Sequence, residues 1–286
     1  MPTSQNYTPK QIARALGVSE SSLKRWCDRG ILPTIRTAGG HRRIPLTAVL
    51  DYLRGTGRPL VRPEILGLPA TSGTGLRVID RARDRLRTAL LDGDLAICRQ
   101  VIFDLFLAKQ SISAIGDRVI GPAFYDIGAS WEAGEIEVYQ ERRACEIIER
   151  VLHELEMAVP QGTDNTWLAL GGTPEGDHYG IATMLIALVM RQKGWRAISL
   201  GAGLPFSTML SAIRTQEPRL FWISTSYISD EARFVAEYDQ FYEEAWLLTW
   251  LAVGGRALTP ELRYRMQYTV FCDRLSNLES FVDAQR

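Results

Sequence analysis

Ile35-Arg36-Thr37-Ala38-Gly39-Gly40-His41-Arg42-Arg43-Ile44 decides how the chain begins to fold. A Gly-Gly pair suits the tip of a tight hairpin, and here the flanking strands carry Arg36, His41, Arg42 and Arg43. Upstream, Thr8 is a good N-cap, and Ile12, Ala15 and Leu16 repeat at helical spacing before Gly17 stops the helix. Ser19 caps a second helix over residues 20–28, which turns Leu23 and Trp26 inward and leaves Ser21, Ser22, Lys24 and Arg25 outward. Two short helices followed by a basic hairpin read as a helix-turn-helix with a wing. The second helix is expected in the major groove, where short serines allow close approach and Lys24 and Arg25 reach phosphates or guanine edges. The wing basics are expected on phosphates or in the minor groove. The alternative is a small helical domain with a solvated basic face.

Charge supports the first reading. The 286 residues are neutral overall, but residues 1–62 hold eleven Lys/Arg and three Asp/Glu, which leaves the remainder eight negative. A basic module joined to an acidic body points to an anionic partner, double-stranded DNA, for the first part only. Hydrophobic content of 46% and charged content of 23% are ordinary for a globular protein. Apolar runs such as residues 181–190 are too short to span a membrane, and no signal-peptide core is evident, so a cytoplasmic protein is expected. Cys27, Cys98, Cys145 and Cys272 form no CxxC pair and read as thiols in a reducing compartment.

Residues 7–54 resemble the MerR/excisionase-type winged-helix family. The resemblance lies in Tyr7-Thr8, the Gly17-Val18-Ser19 turn, Leu23-Lys24-Arg25-Trp26 and Gly39-Gly40-His41-Arg42. It implies DNA binding with the second helix in the major groove and the wing at its flank.

Glycine, proline, serine and threonine then accumulate over residues 55–75 and read as an inter-domain linker. Four helices are expected next, over residues 76–91, 95–109, 114–131 (with a break near Pro122) and 136–158, packed as an antiparallel bundle. After Pro160 short apolar runs at residues 167–170, 197–200, 220–223, 247–253 and 269–271 alternate with helical stretches. That alternation argues for a doubly wound parallel sheet. In such sheets ligands lie beyond the carboxyl ends of the strands. Those ends carry Gly171-Gly172-Thr173-Pro174, Gly201-Ala202-Gly203, Ser224-Thr225-Ser226 and Gly254-Gly255. Small residues there are expected to leave the backbone open to a large, flat or extended ligand. Trp195, Trp222, Trp246 and Trp250 are expected to pack under helices.

In order, bundle and sheet resemble the cobalamin-binding module of the light-sensing CarH/LitR repressors, a similarity that covers nearly the entire chain. Leu90-Leu91-Asp92-Gly93-Asp94-Leu95 fits its first bundle turn. Trp131, Gly134-Glu135-Ile136 and Glu141 fit its cap over the cofactor. Thr173-Pro174, Leu200-Gly201, Ser224 and Gly254-Gly255 fit its ligand-facing loops. The resemblance implies adenosylcobalamin, tetramers that hold an operator in the dark, and dissociation in light. The implied fold is multidomain, α and α/β: a winged helix over residues 1–54, a linker over 55–75, a four-helix bundle over 76–160 and a flavodoxin-like sheet over 161–286.

This sequence departs from the family pattern at the chemistry. Where the family has Glu-His ten positions after its Trp, Glu141 is followed by Arg142, and Glu132 replaces a histidine beside Trp131. The lower-ligand pattern Asp/Glu-x-His-x-x-Gly falls on Asp177-His178-Tyr179-Gly180-Ile181-Ala182, so Tyr179 stands in the axial place and His178 lies one position early. Neutral imidazole ligates cobalt well, whereas tyrosine must first lose a proton of pKa about 10. Three readings stay open: cobalamin without a protein axial ligand, another tetrapyrrole, or a degenerate pocket governed by protein partners. Haem iron would accept Tyr179 or His178, and a bilin such as biliverdin would pair with Glu132 and Arg142. The expected cofactor contacts are Trp131, Glu132, Glu141, Arg142, Asp177, His178, Tyr179, Gly201, Ser224, Ser226, Gly254 and Gly255. Cys145 and His153 read as a buried thiol and a surface histidine. The function expected is a ligand-gated regulator, with light as one candidate stimulus, acting as a homo-oligomer, dimer or tetramer. A cobalamin-dependent enzyme is the weaker alternative, since no nucleophile–base pair, HExxH or phosphate loop occurs.

Overall fold

The computed structural model describes residues 6–58, 60–68, 79–163 and 165–285. Pro59, Pro69, the Thr71-Ser72-Gly73-Thr74-Gly75 stretch of the expected linker and the expected helix start at Leu76 lie outside the described residues. The chain divides into two compact units, residues 1–111 with 118–159, and residues 112–117 with 160–286.

The first unit starts with the winged helix. Strand β1 (Asn6–Tyr7) pairs antiparallel with β3 (Arg42–Pro45), which also pairs with β2 (Ile35–Arg36). Helix α1 (Pro9–Leu16) opens with a capping box. Thr8 Oγ1 accepts from Gln11 N (3.2 Å), and Gln11 Oε1 accepts from Thr8 N (2.8 Å). Gly17 ends it at φ +64°. Helix α2 (Glu20–Asp28) is capped by Ser19, whose Oγ accepts from Ser22 N (3.1 Å). Helix α3 (Leu46–Thr56) completes a core in which Ile12, Leu16, Leu23, Leu32, Ile44, Val49, Leu50 and Leu53 are buried.

Residues 60–68 lie within the stretch expected to be linker, yet they are ordered against α1. Val61 N and Arg62 N both donate to Ala15 O (2.9 and 3.1 Å), Tyr7 Oη donates to Leu66 O (2.8 Å), and Leu60, Leu66 and Leu68 are buried. Gly17 permits this. A Cβ there would lie 2.7 Å from Val61 Cγ2. Three apolar side chains in a proline-rich, glycine-rich background are enough to pin such a segment.

The bundle consists of α4 (Ile79–Asp92), α5 (Leu95–Leu107), α7 (Gly121–Glu132) and α8 (Val138–Glu156). Gly93, at φ +80°, turns α4 into α5, and Asp94 caps α5 by accepting from Ile97 N (3.0 Å). Leu86, Leu90, Val101, Leu105, Ile127, Ile148, Val151 and Leu155 fill the core. The third expected helix is broken into α6 (Ile112–Ile115), a π-helical turn (Gly116–Ile120) and α7.

The second unit carries a five-stranded sheet of order β5-β4-β6-β7-β8, all parallel. Its strands are β4 (Leu168–Gly172), β5 (Arg196–Ser199), β6 (Leu220–Ser224), β7 (Trp250–Gly254) and β8 (Val270–Cys272). One face packs Met190 and Ala187 of α9 (Ile181–Gln192) and Leu278 and Val282 of α13 (Leu275–Ala284) around Trp222. The other packs α10 (Phe206–Gln216), α11 (Glu231–Ala245) and Leu262 of α12 (Pro260–Arg263) on Phe221, Leu251 and Val253. Asp117 joins α6 to this unit, its carboxylate accepting from Leu275 N (2.8 Å) and Ser276 N (3.0 Å) at the start of α13. The expected run at residues 247–253 becomes a strand only from Trp250. Leu247 and Leu248 are exposed, and so is Trp246, contrary to its expected place under a helix: these residues follow the end of α11, ahead of the strand. Chain reversal between β5 and β6 on either side of β4 is the switch point at which doubly wound sheets take ligands.

Candidate nucleic-acid interface and candidate ligand site

Helix α2 presents Ser21, Lys24 and Arg25 exposed and Ser22 half-buried, while Leu23 is buried beneath them. The Ser19 hydroxyl bonds to those of Ser21 and Ser22 (both 2.9 Å), so the start of the helix presents a cluster of small hydroxyls. In the wing, Gly40 N donates to Thr37 O (2.8 Å) and Thr37 N to His41 O (2.9 Å), with Gly40 at φ +77°. Arg36 and His41 are exposed at this tip.

Two of the expected wing residues have partners within the chain. Arg42 pairs with Asp28 of α2 (Nη1 to Oδ1, 2.6 Å), so its guanidinium ties the wing to the recognition helix. Arg43 is half-buried and donates to Arg42 O (3.3 Å). Arg58, absent from the sequence-based set, lies over the Trp26 ring at 5.1 Å, and Trp26 packs on Tyr52 at 5.3 Å. The signal was Arg58's basic character in the same +8 segment, but its partner is distant in sequence.

On the bundle, Trp131 lies in the last turn of α7 with 47% of its surface exposed. Glu132 and Arg142 are exposed, and Glu141 is half-buried. Glu141 pairs with its neighbour Arg142 (3.5 Å) and accepts from the Cys145 thiol (3.4 Å). Burial, then the Glu141 carboxylate, push that thiol up to about 12, so it stays protonated. His153 is exposed beside Glu156 (3.5 Å).

At the carboxyl edge of the sheet, Asp177 organises the loops. It is 0% exposed. One oxygen accepts from Tyr179 N (3.0 Å), and the other from Ser226 N and from Tyr227 N (3.3 Å). Burial pushes its carboxyl up, opposed by those N–H groups and by Arg256. Thr173 Oγ1 donates to Asp177 O (2.6 Å) and accepts from Gly203 N (3.0 Å). The loops after β4, β5 and β6 are thereby fastened together. Arg256, which directly follows Gly254-Gly255, donates to Ser226 O (3.2 Å) and covers the Tyr179 ring at 5.4 Å. Tyr179 is half-buried and His178 exposed. Thr225 Oγ1 is buried with no hydrogen-bond partner among the described residues.

Four of the strand-end glycines do not leave the backbone open as expected. A Cβ on Gly171 would lie 2.4 Å from the Trp222 ring, and one on Gly172 2.6 Å from Gly201 O. On Gly254 and Gly255 it would lie 2.3 Å from Cys272 O and 2.2 Å from Thr225 O. These four serve close approach of the chain to itself. Around Gly201 there is open space, and beside Gly203 only the His178 ring comes near, at 3.5 Å.

Comparison with known proteins agrees with this architecture. Residues 7–57 match a helix-turn-helix domain family, and residues 82–156 match a B12 binding domain family. The HTH-type transcriptional repressor CarA of Myxococcus xanthus is 23% identical over 248 residues, which cover 82% of this chain and 81% of CarA. The repressor CarH of the same organism is 26% identical over 239 residues, 77% of this chain and 79% of CarH. Both are homologues over most of the chain. The monomethylamine corrinoid protein of Methanosarcina barkeri shares the fold, with a TM-score of 0.59 at 14% identity over 72% of this chain and 99% of that one. Among the described residues no helix is long and apolar enough to cross a membrane, and no cluster of His, Cys, Asp and Glu is arranged to hold a metal ion.

Proposed function

We propose that the chain is a DNA-binding transcription regulator, not an enzyme, whose sensor takes a cobalamin-type corrinoid and whose ligand state sets its affinity for DNA. The observation that carries this reading is the exposed basic surface of α2 and the wing, in a chain that matches a helix-turn-helix domain and then a B12 binding domain. A homo-oligomer would place such wings on paired half-sites. Helix α3 ends at Thr56 and residues 60–68 fold back on α1, so pairing of copies falls to the rest of the chain.

The test combines two measurements on the full chain. Adenosylcobalamin, haemin and biliverdin are offered separately, desalted, and their visible spectra recorded in dark and light. Affinity for duplexes selected from a random pool is then measured with and without each pigment. Retained adenosylcobalamin together with a changed DNA affinity supports the reading, and a light-induced change makes light the stimulus. Retention of haemin or biliverdin instead reassigns the ligand. A second reading, a vestigial pocket controlled by protein partners, is favoured by the glycines filled from within. It predicts that no pigment survives desalting while DNA binding persists.

A further inference from the structure

Cobalamin has two parts that a protein must place: the corrin macrocycle, and a flexible arm whose nucleotide ends in a benzimidazole base. That base is itself a ligand for the lower face of the cobalt. A protein that offers its own imidazole must displace the base and find room for the arm. The residues of this chain do not fit that arrangement, on three counts.

The first is the ligand. Tyr179, at the position where the family pattern has its axial histidine, has its ring under Arg256, and the neighbouring imidazole, His178, is exposed against Gly203. The second is the carboxylate that would orient such an imidazole through its other ring nitrogen. Asp177 is fully buried and already accepts from the backbone of Tyr179, Ser226 and Tyr227. The third is space. Beneath α9, Trp222 in the middle of β6 is 1% exposed, lies against Gly171 and donates from Nε1 to Thr183 Oγ1 (2.7 Å). Thr183 in turn shares a hydrogen bond with Ser199 (3.2 Å). A bulky ring anchored by a hydrogen bond is a plug, since protein interiors are close-packed and yield little to an inserted group.

We infer that this chain holds a corrinoid by its macrocycle alone, with the nucleotide arm left in solvent, the cofactor's own base still on the cobalt, and Trp222 closing the interior against it. The inference rests on the reading of the sensor as corrinoid-binding. It commits the chain to a ligand class wider than cobalamin: corrinoids that lack the arm are bound equally well.

The experiment is equilibrium dialysis of the full chain, in the dark, against adenosylcobalamin and against adenosylcobinamide, which has the same macrocycle without the nucleotide. The bound spectra are recorded alongside. The two dissociation constants should agree within about threefold, and bound adenosylcobalamin should keep the spectrum of its base-coordinated form. Cobalamin binding more than about tenfold tighter than cobinamide, or a spectrum shifted to another axial ligand, would overturn the inference. Trp222→Ala, checked for folding by circular dichroism, should shift the ratio of the two constants towards cobalamin. An unchanged ratio in the folded variant removes Trp222 as the excluding group. Failure of both corrinoids to bind while DNA is still recognised rejects the corrinoid reading itself, and this inference with it.

Discussion

Arg54 and Lys109 are exchanged between two helix ends. Arg54 of α3 donates to Phe106 O in the last turn of α5, with its guanidinium 4.1 Å from the Phe106 ring centroid. Lys109, just past the end of α5, donates from Nζ to Gly55 O (3.1 Å) in the last turn of α3. Each helix C-terminus carries partial negative charge and unsatisfied carbonyls, so each receives a cation from the other. This reciprocal capping docks the winged helix on the bundle. Lys109 itself sits at φ +67°, a left-handed conformation that an L-residue adopts at a cost.

Arg54→Ala is therefore expected to loosen this docking by about 1–2 kcal/mol, the sum of a helix-end interaction and a partly desolvated cation–π contact. Lys109→Gly removes the other cation but relaxes the backbone, and should come out close to neutral. Hydrogen exchange in the last turn of α3 reads both. Equal protection in Arg54→Ala and the parent would show that the reciprocal caps do not hold the domains together.

Arg42 and Asp28 determine a second outcome. A partly exposed ion pair of this kind contributes up to about 1 kcal/mol to stability, so its interest lies in binding. Because Arg42 is tied to the recognition helix, Arg25→Ala should flatten the salt dependence of DNA binding more than Arg42→Ala does. The expected loss is about 0.9 in slope for each phosphate contact removed. Asp28→Ala frees Arg42 and deletes a negative charge at the end of α2, so DNA affinity should rise several-fold. A fall in affinity would mean that the pair orients the wing productively.

That pair also marks where reading the sequence stops. Thr8, Gly17, Ser19 and Gly40 were legible because capping and left-handed turns are local: the residue type and its neighbours carry the whole reason. The sheet was legible because buried parallel strands are short apolar runs between helical periods. Arg42 was not, since its partner lies fourteen positions away on another element. Residues 60–68 were not, because composition reports flexibility while the burial of Leu60, Leu66 and Leu68 accompanies docking of the segment on α1. The strand-end glycines are ambiguous in principle. Absence of a Cβ admits a ligand or the chain's own backbone, and only Trp222, Gly201 O, Cys272 O and Thr225 O in place decide which.

Asp104 on α5 gives a pH dependence. Burial raises its carboxyl to about 6, with Arg85 pulling the other way, and Oδ2 has no hydrogen-bond partner among the described residues. The native state then binds more protons than the unfolded chain between about pH 4 and pH 6, so stability falls as pH rises through that window. Asp104→Asn should stabilise the chain by about 1–2 kcal/mol above pH 7 and leave it unchanged near pH 4, after allowance for partial solvent access. Urea melts at the two pH values test this. A gain of equal size at both would point to packing as the cause.

Tyr179→His tests the placement of the loop that carries the altered motif. The Tyr179 amide is fixed by Asp177, so a histidine there would start from the same backbone position, and its imidazole is largely neutral near pH 7. Adenosylcobinamide is the informative ligand, because its lower face has no base of its own to compete. The variant should bind it about tenfold tighter or better, equivalent to about 1.4 kcal/mol, with a visible spectrum showing nitrogen on the cobalt. Arg256 covers the position and opposes a protonated ring, so the gain should fade as pH drops below about 6. An unchanged spectrum would place residue 179 away from the metal, and the search for a lower ligand would then move to His178.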